Sequence, residues 1–427
     1  MTSCKRYCSN SDRVLNPARV VFLQNFMKKL SITFTFFILS MVLTIIFITG
    51  CKTSTTPQSP SCDNGFHLCP DNPDNCCENT SSEIDWEIFE FGNPEGTWGD
   101  NNFVGGAIVN ENDIWVIGLF YDRSPSGQSD TTYNAVNWNG TGWEKYSLPI
   151  GIANSLGEIY GIAGFPVWNI FPFSEDNIWF QGMPHVLNHW DGEIMQYIIT
   201  PGDWWDVHLW APGGWALSTE NIYLGTTDGE IIRYDGNELR HIATLSLPLV
   251  IWKIHGANNR TYALGNGDGE EYNPKSILAE IVEDNVTEII LSDYLLPESE
   301  SNFGRIYSFW CYGDEVFFLT RDGLFVYNSI SQNILKLFTR EQIGCVEYEP
   351  VNIIGKAPNN IFIIDAIGQI FHYDGSNWTI DSSISEISNL RLSRWTDIDL
   401  KDDMLVLPGA IRDGYDHPAV AIGRIRN

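Results

Sequence analysis

Positive charge is what this chain most lacks. Its 427 residues carry 25 Lys and Arg against 54 Asp and Glu, a formal net of −29. Six of those cations (Lys5, Arg6, Arg13, Arg19, Lys28 and Lys29) lie before residue 51, together with one acid, Asp12. The rest of the chain therefore holds 19 cations against 53 acids, a net of −34. Such a surface is repelled by nucleic acid and by anionic lipid headgroups, which excludes nucleic-acid binding. Ala and Lys are scarce beside 37 Gly, 16 Trp, 17 Tyr and 23 Phe, a balance that favours strands and turns over helices. The eight histidines are dispersed, and none shows the paired spacing of a helical zinc site. Asn266–Glu271 and Asp413–His417 are acidic and glycine-bearing but lack the ligand order of a calcium loop, and read as solvated turns. No metal or cofactor is expected, and no catalytic motif stands out.

What is present begins with one apolar run. Lys28 and Lys29 precede it, and it closes on Ile48-Thr49-Gly50-Cys51. A basic start, an apolar stretch and small residues before the end form an export signal with a processing site. The four closing residues resemble the lipobox of bacterial lipoproteins. That resemblance implies cleavage before Cys51, a lipid on its sulfur and acylation of the new amino terminus. A run of about 20 apolar residues could also span a bilayer. The position of Thr49-Gly50-Cys51 directly before a polar linker favours the lipoprotein. Met27 is the expected start, which makes residues 1–26 an extension, 27–50 the signal peptide and 51–83 a lipidated, disordered linker. Lys52, rather than an acid, follows the cysteine; family precedent then places the protein on the outer membrane.

Beyond Cys51 there remain Cys62, Cys69, Cys76, Cys77, Cys311 and Cys345. An even number in an exported chain favours disulfides. A zinc knuckle with His67 as a further ligand is the alternative, but the spacings do not match paired-ligand zinc motifs. Adjacent cysteines bridge each other poorly. The expected pairing joins Cys62 and Cys69 to Cys76 and Cys77, in either order, with Cys311 and Cys345 left open.

The remainder is repetitive. Asn112-Asp113-Ile114-Trp115-Val116 recurs as Asp176-Asn177-Ile178-Trp179-Phe180, Glu220-Asn221-Ile222-Tyr223-Leu224 and Asn359-Asn360-Ile361-Phe362-Ile363. Weaker copies centre on Thr261, Val316 and Met404, giving seven anchors spaced 64, 44, 39, 55, 45 and 43 residues apart. A second element follows most anchors: Trp138-Asn139-Gly140, Trp190-Asp191-Gly192, Tyr234-Asp235-Gly236 and Tyr373-Asp374-Gly375. Asp-Gly and Asn-Gly between aromatic and β-branched residues signal two-residue hairpins. Strand candidates precede the anchors at Phe103–Ile108, Val207–Trp210, Ile251–His255, Ile306–Trp310 and Thr396–Leu400. Four short strands at a period near 40–45 residues describe a β-propeller blade.

The expected architecture is all-β: a seven-bladed propeller over residues 84–427. Its last unit lacks a fourth strand, and the alternating segment Trp86–Phe91 is expected to supply it, pairing with Ala419–Arg424 to close the ring. The repeats resemble those of bacterial propellers related to Kelch and Asp-box proteins, although the full Asp-box pattern is absent. With the Cys-rich linker, the chain resembles a group of bacterial surface lipoproteins. These motifs specify fold, not activity.

Candidate ligand-binding residues are aromatics and histidines on the expected inner strands: Trp205, His208, Trp210, Trp252, His255 and Trp310. Aromatic faces stack on sugar rings and ligand planes, while the same residues also suit the wedge between blades. His189 and His372 sit at equivalent repeat positions and read as structural. The expected function is a lipid-anchored, monomeric binding or scaffold module of the cell envelope. Two rivals are a propeller glycosidase or lyase, needing convergence among Asp206, His208, His255, Asp314 and Asp397, and an assembly factor for envelope complexes. Membrane attachment is expected through Cys51, with a glycan or an envelope protein as partner.

Overall fold

A computed structural model describes residues 66–69, 72–78, 83–92, 102–123, 130–153, 158–163, 166–182, 186–200, 213–267, 274–296, 302–345, 348–381, 383–384, 393–412 and 416–426. Among the described residues, seven antiparallel sheets of four or five strands follow one another along the chain, besides two two-stranded ribbons. The first blade runs Asn102–Asn110, Asp113–Arg123, Asp130–Trp138 and Trp143–Tyr146. Blades two to six repeat that order of four strands, starting at Asn169–Ser174, Gly214–Ser218, Val250–Ala257, Ile306–Tyr312 and Pro350–Ala357. In the seventh, Ser393–Trp395 and Asp399–Lys401 share the inner position beside Met404–Arg412 and Asp416–Ile425. The first strand of each blade packs against the first strand of the next, from blade one round to blade seven and back to blade one. The fold is a seven-bladed β-propeller with almost no helix. Among the described residues, no helix is long and apolar enough to cross a membrane.

Ile84–Glu90 occupies the outer edge of the seventh sheet, in register Ile84↔Ile425, Trp86↔Gly423 and Glu90↔Ala419. Its two faces go to different neighbours, as the period-two alternation of a strand requires. Ile84 and Trp86 join the apolar cluster shared with Phe362 and Ile364 of blade six. Phe91, just past the strand, lies edge-on to Phe103 of blade one with centroids 5.3 Å apart, and Phe89 meets Trp138 at 5.5 Å.

The anchor motif has a common physical role. Ile114, Ile178, Ile222, Val316 and Ile361 are fully buried between sheets. The polar residue just before the anchor isoleucine accepts a hydrogen bond from the third strand: Asn137 Nδ2 to Asp113 at 2.7 Å and Arg233 Nε to Asn221 at 2.8 Å. His189 and Asn177 lie 3.0 Å apart, as do His372 and Asn360. His189 stacks on Trp179 (4.1 Å) and His372 on Phe362 (4.2 Å), which explains why an aromatic follows the isoleucine.

The Asp-Gly turns differ from the expected two-residue hairpins. Trp190 pairs with Met195 and Tyr373 with Trp378, so four residues bridge the strands. Asp191 accepts from the amides of Glu193 and Ile194, and Asp235 from those of Asn237 and Glu238. The carboxylate thereby replaces the backbone acceptor of a tighter turn. Glycine follows for two reasons: Gly192 and Gly236 adopt φ of 94° and 91°. A Cβ on Gly192 would also lie 2.7 Å from Asp176, and one on Gly236 2.9 Å from Glu220. Each turn rests against the anchor loop of its own blade, so the two motifs recur together.

One strand departs from the sequence reading. The inner strand of blade three is Gly214–Ser218, where Trp215 pairs with Tyr223. Val207–Trp210, the strand expected there, lies outside the described residues. In blade one the hairpin is extended, pairing Tyr121 with Thr132 and Arg123 with Asp130. Within Gly151–Gly164, Ile150–Ala153 pairs with Ile159–Ala163 as a separate two-stranded ribbon.

Candidate binding site on the propeller axis

A defect repeated in four inner strands builds the site. One extra residue interrupts the pairing between Phe103 and Gly105, Ile251 and Lys253, Ile306 and Ser308, and Pro350 and Asn352. Such a bulge breaks strand alternation. In Ile251-Trp252-Lys253-Ile254 both isoleucines are buried, while Trp252 and Lys253 side by side retain solvent access. In blade seven, residues 396–398 interrupt the inner strand, and Asp397 sits in that gap.

The residues after the bulges meet across four blades. Lys253 Nζ donates to Asn352 Oδ1 at 2.6 Å, Ser308 Oγ at 3.1 Å and the Ile353 carbonyl at 3.4 Å. Ser308 Oγ donates to the same Asn352 oxygen at 2.6 Å. Asn352 Nδ2 then donates to Asp397 Oδ1 at 2.6 Å, so the asparagine amide relays between a cation and a carboxylate. The Gly106 amide of blade one also supports Asp397. Asp399 accepts from the Ile108 amide of the same blade at 2.8 Å.

Burial pushes the Lys253 ammonium down to about 8, against the pull of Asp397. It pushes the Asp397 carboxyl up to about 6, opposed by Lys253 and by the amides of Ile398 and Gly106. Both groups are charged at neutral pH, and each is the other's main compensation. Breaking such a pair costs more than the pair itself contributes. The arrangement braces blades four to seven and one around the axis. Its hydrogen-bonding capacity is largely spent within the protein.

Beside it, His255 lies between Trp215 of blade three, with ring centroids 4.3 Å apart, and Phe309 of blade five at 6.5 Å. Burial and the Lys253 charge push His255 down to about 3, so it is neutral in any ordinary buffer. His255 Nδ1 and Trp215 Nε1 are buried with no hydrogen-bond partner. Cys311 Sγ contacts the His255 carbonyl at 3.7 Å, and burial pushes its thiol pKa upward.

Of the candidate residues, Trp252 is 43% exposed on its bulge, and His255 is packed between Trp215 and Phe309 within reach of the Lys253 charge. Trp310 is displaced from the site: it is 5% exposed, packed 5.2 Å from Phe317 and pressed on Gly355 in the wedge between blades five and six. Trp205, His208, Trp210 and Asp206 fall outside the described residues. Asp397 is drawn into the lysine network, not into a carboxylate pair with Asp314, which lies in the turn after Tyr312. The described residues hold no cluster of three or more metal-ligating side chains.

Among the cysteines, Cys311 and Cys345 are buried free thiols. Phe66–Cys69 pairs with Asn72–Glu78, setting Leu68 opposite Cys76 and His67 opposite Cys77. Cys51 and Cys62 lie outside the described residues, as does the signal segment.

No protein-family model and no curated protein matches the sequence. Solved structures similar to it include YCF48 bound to D1 peptide, at 12% identity and a TM-score of 0.55, covering 82% of this chain and 98% of that one. The WD40 domain of Pan2 from Neurospora crassa is similar at 10% identity and a TM-score of 0.52, covering 80% and 96%. At these identities the likeness is one of fold.

Proposed function

We propose that this chain is a lipid-anchored propeller that holds a peptide or protein partner at the bacterial cell envelope, on the outer membrane. The observation that carries the reading is the lysine network. The axis, where propeller enzymes gather reactive groups, is here occupied by a cation and a carboxylate committed to each other through Asn352. Binding then falls to exposed side chains at the rim of the axis, such as Trp252. A propeller of similar fold, YCF48, has been seen with a D1 peptide bound, which fits a peptide-holding role without naming a partner. Anchoring rests on Ile48-Thr49-Gly50-Cys51 and the Ser/Thr/Pro-rich linker. A photo-reactive residue at Trp252, introduced in living cells, should form a discrete protein adduct in the envelope. Absence of any protein adduct, with binding on a glycan array, would replace the scaffold by a sugar-binding module.

A further inference from the structure

Arg305 precedes the inner strand of blade five and is half-buried. Its guanidinium lies 5.7 Å from the ring centroid of Tyr294 and 5.7 Å from that of Tyr307. Its Nε is buried without a hydrogen-bond partner, and no described carboxylate pairs with it. The chain has more than two acids for every cation, and Arg233, Arg240, Arg260 and Arg426 each have an acidic partner. The nearby carboxylate of Glu349 is engaged by the Tyr307 hydroxyl, and Arg321 adds a second positive charge beside Tyr307. The backbone under Arg305 is pinned, because Ile306 donates to Ser276 Oγ at 2.9 Å and accepts from Asn266 Nδ2 at 3.0 Å.

A guanidinium held against aromatic faces keeps its planar fork of donors free and oriented, which suits a carboxylate. Exposed apolar side chains adjoin these residues in sequence: Leu295 and Leu296, next to Tyr294, are 59% and 58% exposed, and Tyr348, next to Glu349, is 40% exposed. Tyr307 is also the bulge residue equivalent to Trp252 on blade four. From this geometry we infer that Arg305 is the receptor for a carboxylate side chain on a partner peptide whose flanking residues are apolar. The inference rests on the scaffold reading and deepens it, by giving the partner's chemistry.

The full exported protein should be titrated with a fluorescein-labelled peptide Leu-Phe-Glu-Asp-Phe-Leu and with its twin carrying Gln and Asn in place of the acids. The acidic peptide should bind at least tenfold more tightly. Arg305→Lys keeps the charge but loses the fork, and should weaken acidic-peptide binding about tenfold at unchanged melting temperature. Tyr294→Ala, which removes one aromatic face, should weaken it similarly. Arg240→Lys, on the outer strand of blade three, should leave it unchanged. Equal binding of the twins, or indifference to Arg305→Lys, would overturn the inference. So would inorganic phosphate that binds at Arg305 while neither peptide does. If the Trp252 adduct persists in Arg305→Lys and the twins bind alike, this inference fails while the scaffold reading stands.

Discussion

The indole nitrogen of Trp86 donates a 2.8 Å hydrogen bond to Oδ2 of Asp381, a residue 295 positions later and in a different blade. Trp86 belongs to the outer strand of blade seven and Asp381 ends the outer strand of blade six. One side chain near the start of the described domain thus ties together two sheets made near its end. Arg426 adds a second tie from the other direction, pairing with Asp85 and with Glu83.

Removing Asp85–Phe91 should therefore lower the melting temperature far more than removing residues 124–129, and should promote aggregation through the bared edge of Asp416–Ile425. The milder Trp86→Phe, which removes the indole donor from Asp381 Oδ2, should cost about 1–2 kcal/mol. Denaturant melts of the variants check both. Equal melting temperatures for the two deletions would deny the strand any fastening role.

The axial ion pair makes a prediction about coupling. Lys253→Met alone leaves Asp397 without its cation and should cost about 3 kcal/mol. Asp397→Asn alone should cost a similar amount. The double variant should recover a good part of either loss, since neither charge is then left uncompensated. Additive losses would mean that the two side chains do not act as a pair.

Much of the architecture was legible in the chain, because four of the seven blades carry Asn/Asp-Ile-aromatic followed by an Asp-Gly or Asn-Gly turn, and both patterns have local causes. The axial network was not. Lys253 and Asn352 are 99 residues apart, and Asn352 and Asp397 are 45 apart; they meet only because bulges in separate blades turn them inward. A faint signal existed in Ile251-Trp252-Lys253-Ile254, where two non-core residues in succession break the strand's alternation. The Val207–Trp210 assignment failed for the opposite reason: aromatic richness outweighed Gly213-Gly214, whose missing side chains suit the close packing of blade three against Ile251 and Phe171.

Acid should weaken the fold through His372, which is fully buried and held near 4 by loss of solvent. Its folded pKa lies below the unfolded value, so the unfolded chain binds the extra proton between the two. The contribution is complete above pH 6.5 and falls away as pH drops toward 4, by up to about 3 kcal/mol. His372→Gln should be less stable at pH 7.5 yet lose less on acidification to pH 4.5. Parallel losses in wild type and variant would place the acid sensitivity elsewhere.

Cys51→Ser should abolish incorporation of labelled palmitate and leave uncleaved precursor. Normal processing and membrane attachment of the variant would end the lipoprotein reading.

Mass mapping under non-reducing conditions should find two bridges among Cys62, Cys69, Cys76 and Cys77, with Cys311 and Cys345 remaining as thiols. Four free thiols in the linker, or a stoichiometric zinc ion, would contradict the disulfides.

The strand Ile84–Glu90 also sets a clock. It is among the first parts of the domain to leave the ribosome, yet the partner of Asp85, Arg426, follows 341 residues later. At ~5–20 residues per second, synthesis alone separates the two by roughly 17–70 s. Through that interval Trp86, Ile88 and Phe89 have no sheet to join, and six blades can form before the seventh has its edge. A nascent chain stalled before Ala419 should therefore remain an open, protease-sensitive ring.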